Sequence, residues 1–239
     1  MPPLDPPLSG PPPQAAPPHR LASHTWESAG GILLVPLGST EQHGPHLPLA
    51  VDAMIAEAVA DDLAHRWRSR GTAAVVAPVL SYGASGEHEG FAGTISIGTE
   101  AMRAVVVEIG RSAGRWADRI VFVNGHGGNV EALAEAVALL RSEGRDVRSV
   151  GCGVPGSDAH AGRTETSILL HLSPQSVRVS RQAPGETRPL DEIFPLLRER
   201  GVAAVSPNGV LGDPTGASAE EGAELLRAMS DAAWQVVRR

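Results

Sequence analysis

Between residues 31 and 152 the apolar positions fall into two patterns that take turns along the chain. Residues 31–37 (GILLVPL) and 73–80 (AAVVAPVL) are continuous apolar runs of strand length, as are 119–123 (RIVFV) and, more weakly, 146–152. A strand with one wet face alternates apolar and polar residues, so unbroken apolarity predicts strands covered on both faces. Between the runs the apolar positions recur at helical spacing. Ile55, Val59, Leu63 and Trp67 form one stripe, Met102, Val105, Val106, Ile109 and Trp116 a second, and Val130, Leu133, Val137 and Leu140 a third. Each stripe predicts a helix that buries one side. Strand and helix in alternation predict a layered α/β fold with a mainly parallel sheet.

That architecture places chemistry in the loops beyond the carboxyl ends of the strands. The polar, glycine-rich stretches 38–52, 81–93, 124–129 and 153–166 each follow one of the apolar runs. The start of the chain reads differently. Nine of the first 18 residues are Pro, and Asp5 is their one charged side chain. Such a segment cannot build a core and favours extended, polyproline-like states, so residues 1–24 are expected to be a disordered tail and 25–239 a single domain. The tail is read as dispensable in preference to a docking ligand.

Composition narrows the function. With 239 residues and 42% hydrophobic content the chain can bury one substantial core. All 20 basic residues are Arg and face 27 acids, for a formal charge of −7, which argues against a nucleic-acid partner. Cys152 is the lone cysteine, so neither an intrachain disulfide nor a cysteine-rich zinc module is available, and it reads as a small buried filler. No apolar run approaches the roughly 20 residues of a membrane-spanning helix. Neither does the N-terminus carry a basic start followed by an apolar stretch. A cytoplasmic protein with no membrane partner is expected.

Three loops carry candidate chemistry. In GSTEQHGPHLPLAVD, Glu41 and His43 are two apart and project to the same side of an extended segment, with His46 and Asp52 close behind. Two carboxylates and an imidazole there suit a divalent metal, although Asp52 could equally cap the helix that follows. In NGHGGN, His126 stands directly after a buried strand, between glycines that allow close approach to a ligand. In HAGRTETS, Glu165 lies near the start of a helix that Thr164 is placed to cap, where a carboxylate also suits the helix dipole; His160 precedes it in the loop. Three acids and two histidines match the needs of two divalent ions, which at about 3.5–4 Å apart can polarise a carbonyl and activate water together. A further His in reach could protonate a departing amine. Glu87 and His88, in the loop after the second run, are candidate substrate contacts, with a structural role as the alternative. His46 is a candidate for orienting a ligand.

The runs GSTEQHGPHLPL, SGEHEGFAGTISI, VNGHGGN, HAGRTETS and GVLGDPTGASAEEG, in that order, resemble the creatininase family of metal-dependent amidohydrolases over nearly the whole chain outside the tail. The resemblance implies a three-layer α/β/α sandwich, a homo-oligomer and two ions of zinc, iron or manganese. It implies Glu41 and His126 on one ion, His43 and Glu165 on the other, Asp52 bridging both, and His160 as the proton shuttle. There is one departure. Family members that open creatinine carry a Glu two places after the His matching His126, and Trp residues before the last ligands. Here the first position is Gly128, and 151–159 holds no Trp. The wording YGASGEHEGFAGTISIGTEA resembles instead a branch that cleaves a modified ribosomal peptide and releases its C-terminal Val-Tyr unit. The alternatives are a hydrolase of small formamides or cyclic amides, and a non-catalytic metal-binding scaffold.

Overall fold

The computed structural model describes residues 19–238. Four strands, β1 (Gly31–Leu37), β2 (Ala74–Val76), β3 (Ala117–Asn124) and β4 (Val147–Gly151), form one parallel sheet in the order β2-β1-β3-β4. Because successive side chains leave opposite faces of a strand, the continuous apolar runs feed two cores. Ile32, Leu34, Val121 and Val123 pack to one side, under α1 (Val51–Arg68) and with side chains from two later helices, α4 (Arg163–Leu172) and α7 (Ala219–Val237). Leu33, Val35, Leu37, Ile120 and Phe122 pack to the other, under α2 (Gly98–Ala113) and α3 (Val130–Ser142). The three-layer sandwich is therefore the observed architecture. Trp67 of α1 meets Trp234 of α7 edge-on, ring centroids 5.1 Å apart, which closes the first core at its outer end.

The differences from the pattern have local reasons. β2 is shorter than the apolar run 73–80: after Val76 only Ala77 and Leu80 still donate to β1, to the carbonyls of Leu34 and Pro36. This resolves the oddity of a proline in a central strand. The Pro36 carbonyl faces Leu80, so the missing N–H faces the same margin, where the β2 ladder has already ended. At its start the third stripe reads one position too far, since Val130 is 58% exposed, and Trp116 lies in the turn beyond α2, partly exposed. Periodicity tells which side of a helix is apolar, not where its packing begins.

The body of the molecule also begins earlier than residue 25. Arg20 pairs with Glu57 at 2.8 Å and with Asp61, His19 reaches Asp61 at 3.1 Å, and the Val76 N–H donates to the His19 carbonyl. Leu21 packs against the second core. The proline-rich segment 1–18 lies outside the described residues. At the carboxyl ends of the strands, α5 (Leu190–Arg200) and the short α6 (Val202–Val205) share a small core of Ile193, Val202 and Leu211 with Phe91, Leu197 and Val205. Among the described residues no helix is long and apolar enough to cross a membrane.

Candidate metal centre

β1 and β3 lie side by side, but the helices that follow them, α1 and α3, leave on opposite faces. Their diverging loops open a crevice of the kind in which open α/β sheets bind ligands. Two glycines let α1 press into that crevice. A Cβ on Gly38 would lie 2.5 Å from the Ala53 nitrogen, and one on Gly125 would lie 2.3 Å from the Asp52 carbonyl oxygen. The first turn of α1 thus sits directly between the two strand ends. Asp52, its second residue, is buried and turned to the crevice, while Ala50 occupies the cap position without a side-chain bond.

The five predicted ligands converge. Asp52 Oδ1 lies 3.1 Å from His43 Nε2, and Asp52 Oδ2 lies 3.3 Å from His126 Nδ1. Glu41 Oε2 is 3.2 Å from His126 Nδ1, and Glu165 Oε2 is 3.8 Å from His43 Nε2. Two triads result, Glu41–Asp52–His126 and His43–Asp52–Glu165, each with donor atoms within 4.8 Å of one another, and Asp52 offers one oxygen to each. His160 joins Glu41 and His43 in a third group and points Nδ1 at Glu41 Oε1 from 3.7 Å.

Hydrogen bonds to the far side of each ring set which nitrogen faces the centre. His43 Nδ1–H donates to the Glu41 carbonyl at 3.2 Å, and His126 Nε2–H to the Ala84 carbonyl at 3.1 Å. His160 Nε2–H donates to the Gln42 carbonyl at 2.7 Å. Each bond leaves a lone pair aimed inward, the usual support of a metal-binding histidine. Lone pairs of nitrogen and carboxylate oxygen facing one another repel unless a proton or a cation lies between them. The protonation tendencies agree. Burial alone would lower His43, but Asp52, Glu165 and Glu41 outweigh it and raise it to about 9. Burial also opposes the charge on His126, yet Asp52 and Glu41 hold it well above its usual value. Burial works against the ionised Asp52 too, and His43 and His126 keep it far below the ordinary carboxylate range. Burial raises Glu165 to about 7 against the pull of His43. Burial and the neighbouring His43 and His88 push His160 well below its usual value, which favours its neutral form.

Both Glu41 oxygens and Asp52 Oδ2 are buried with no hydrogen-bond partner. A buried carboxylate oxygen without a donor is costly, and a cation is the partner that relieves several at once. With two imidazoles and three carboxylates, the donor set suits divalent ions of the zinc, iron or manganese type. The residues present fit a two-ion site.

Asn129, Gln42, Asp158 and Ala161 also shape the centre, and the sequence did not single them out. Asn129 donates to the Gly38 carbonyl and to Asn124 Oδ1, both at 3.1 Å, and accepts from the Ala84 N–H at 2.9 Å, which ties the loops after β1, β2 and β3 together. Gln42 binds His88 Nδ1 at 2.9 Å and the Gly209 carbonyl at 3.0 Å. At α4 the cap comes not from Thr164 but from Asp158, whose carboxylate accepts from the Arg163 and Thr164 N–H groups. Ala161, buried between His160 and Gly162, has φ of 53°, the left-handed region that costs a residue with a Cβ about 1–2 kcal/mol. Its N–H donates to Glu165 Oε2 at 2.6 Å, so this strained link fixes His160 and Glu165 together. The asparagines at both ends of NGHGGN were the one local hint. His46 Nε2 lies 2.9 Å from Thr166 Oγ1 and braces α4 beside Glu165. Cys152 packs on the first core, and burial pushes its thiol up to about 12, away from the thiolate that a nucleophile needs.

A cleft of about 900 Å³ opens over the centre, lined by His126, His160, Glu87, Gly128 and, from the α5 side, Leu190 and Phe194. The two candidate substrate contacts part company here. Glu87 lines the cleft, whereas His88 is buried beneath it with Nε2 3.3 Å from Glu41 Oε1.

Comparison with known proteins places this geometry in context. The family model described as creatinine amidohydrolase matches residues 21–237. The chain is 58% identical to the mycofactocin precursor peptide peptidase of Mycobacterium ulcerans over 211 residues, 87% of this chain and 83% of that protein. It is 32% identical to the creatinine amidohydrolase of Pseudomonas putida over 227 residues, 82% of this chain and 84% of that protein. Among solved structures, a manganese creatininase superposes with a TM-score of 0.74 at 28% identity, covering 92% of this chain and 97% of that one. A Zn-Zn form of a creatininase variant gives 0.72 at 28% identity, over 91% and 96%. With the sandwich matched and the family model spanning the described body, the chain belongs to the creatininase family.

Proposed function

We propose that this chain is a two-metal peptide hydrolase that cleaves the modified mycofactocin precursor peptide and releases its C-terminal Val-Tyr unit. The observation that carries the reading is Asp52, which turns one oxygen to each of two donor triads beside His160, whose Nε2–H is held by the Gln42 carbonyl. Glu41, Asp52 and His126 would hold one ion, and His43, Asp52 and Glu165 the other. Such ions, when bound, supply the positive charge that polarises a scissile carbonyl and eases deprotonation of water. His160 handles the proton. Its Nε2 is committed to the Gln42 carbonyl, so Nδ1 takes the proton released as water adds to the carbonyl carbon and delivers it to the amide nitrogen as the C–N bond breaks. The products are a carboxylic acid and an amine, with no further reactant.

Two features favour a peptide over creatinine. The cleft is open and extends from the centre to α5, room for a chain rather than a single small ring. The 58% identity to a precursor peptide peptidase also far exceeds the 32% to a creatinine amidohydrolase. The test is mass spectrometry of the modified precursor peptide incubated with protein plus iron, zinc or manganese, and with chelator. Metal-dependent release of the C-terminal unit is expected. Protein that holds its metal yet leaves the peptide intact would move the substrate to small formamides or cyclic amides.

A further inference from the structure

Gly128 is not glycine for the sake of its backbone, because its φ is not among the positive values in the chain. Space explains it. A Cβ there would lie 2.2 Å from the Ala84 carbonyl oxygen, 2.5 Å from His126 Nε2 and 2.8 Å from Glu87 Oε1. The volume beside residue 128 is thus taken by the hydrogen bond that orients His126 and by the Glu87 carboxylate. Glu87 stands on a short helical turn, Gly86–His88, at the end of a loop held at Ala84 by Asn129 and at Ser85 by the Ser96 hydroxyl and the Ser39 side chain. Its Oε1 is 3.6 Å from His126 Nε2, whose proton is given to Ala84. Among the described residues no arginine pairs with it, and its side chain is 29% exposed, toward the cleft. Its own backbone N–H meets part of the need that partial burial creates, and the side toward the cleft stays open to a further donor.

Resting on the peptide-hydrolase reading, we propose that Glu87 is a substrate-binding residue. Its carboxylate, in the volume a side chain at 128 would need, accepts a hydrogen bond from a backbone N–H of the peptide in the cleft. An ionised carboxylate only accepts, so its partner must bring an N–H or O–H. A peptide main chain brings an N–H at each residue beside the scissile amide. The Gly128–Glu87 pairing therefore supplies the cleft's acid from the loop after β2 rather than from the turn after β3, and leaves the side toward α5 clear for the chain.

The experiment compares wild type, Glu87→Gln and Glu87→Ala for metal content, thermal midpoint, and KM and kcat on the modified precursor peptide. Metal content and midpoint should be those of wild type, and KM should rise roughly tenfold for Glu87→Ala, the loss of one charge-assisted hydrogen bond, and less for Glu87→Gln, with kcat changed less. An unchanged KM in both variants overturns the inference and leaves the peptidase reading standing. Loss of metal overturns it too, because Glu87 would then serve the ions through His126. If wild type itself leaves the peptide intact, the peptidase reading falls and takes this inference with it.

Discussion

The floor and the roof of the cleft are built in opposite ways. On the floor, Glu41, His43, Asp52 and His126 are buried at the ends of two central strands, and each histidine is held from behind by a backbone carbonyl. The roof is α5 and α6, resting on a separate core of a few side chains, with Leu190 46% and Phe194 49% exposed. Catalytic groups need positions fixed to a fraction of an ångström. A surface that accepts a chain instead needs exposed apolar area, and can rest on a small core that opens locally at little cost. The difference teaches that damage to the floor should abolish the reaction, and damage to the roof should only weaken substrate capture.

The strongest way to break this contrast is Asp52→Ala. It removes the one carboxylate both triads share, so metal content and peptide cleavage should both fall to background, read by metal analysis and mass spectrometry. Full metal content and full activity would refute the bridging assignment. Next, His160→Ala should keep its metals but lose roughly 10²–10⁴-fold in kcat, the usual worth of a positioned proton carrier; metal loss in this variant would make His160 a ligand instead. Gly128→Ala sharpens the floor's tolerance. The added methyl must displace Ala84 or His126, so metal affinity should drop by roughly 10–100-fold, as when a ligand's support is disturbed. A metal titration matching wild type would show that the loop gives way freely.

Smaller effects belong to the roof and the frame. Phe194→Ala should raise KM several-fold with kcat, metal content and midpoint unchanged; a change in metal content would mean that roof and floor are coupled. Asp158→Ala removes the α4 cap and should cost about 1 kcal/mol, a drop of roughly 2–4 °C in the thermal midpoint for a chain of this size. Calorimetry showing no shift would place the cap elsewhere.

How much of this was legible depends on distance along the chain. β1 matches its apolar run from Gly31 to Leu37, and α1 carries its stripe from Ile55 to Trp67 into the core, because face and period are local properties. β2 was overread, since sequence does not show where a neighbour's ladder stops. Glu87 and His88 are adjacent and read alike in sequence, yet one lines the cleft and the other is buried under Glu41. Opposite orientation of adjacent side chains on a tight turn depends on the turn's geometry, which Asn129, Ser96 and Ser39 fix from elsewhere. Asp158 gave no sign of capping a helix that begins five residues later.

By itself the sequence determined the alternation of strand and helix up to α4, the loops where polar residues gather, the residue types able to hold divalent ions, and the family. These follow from periodicity, from the chemistry of side chains and from motifs in order. Only the tertiary structure decided that Asp52 stands between β1 and β3, that Ala84 orients His126, and that the Glu87 carboxylate takes the volume beside residue 128. Each of those depends on two loops approaching to within a few ångströms. For Asp52 that approach is set by the packing of α1 against Gly38 and Gly125, for Ala84 and Glu87 by Asn129, Ser96 and Ser39, and no local pattern records it.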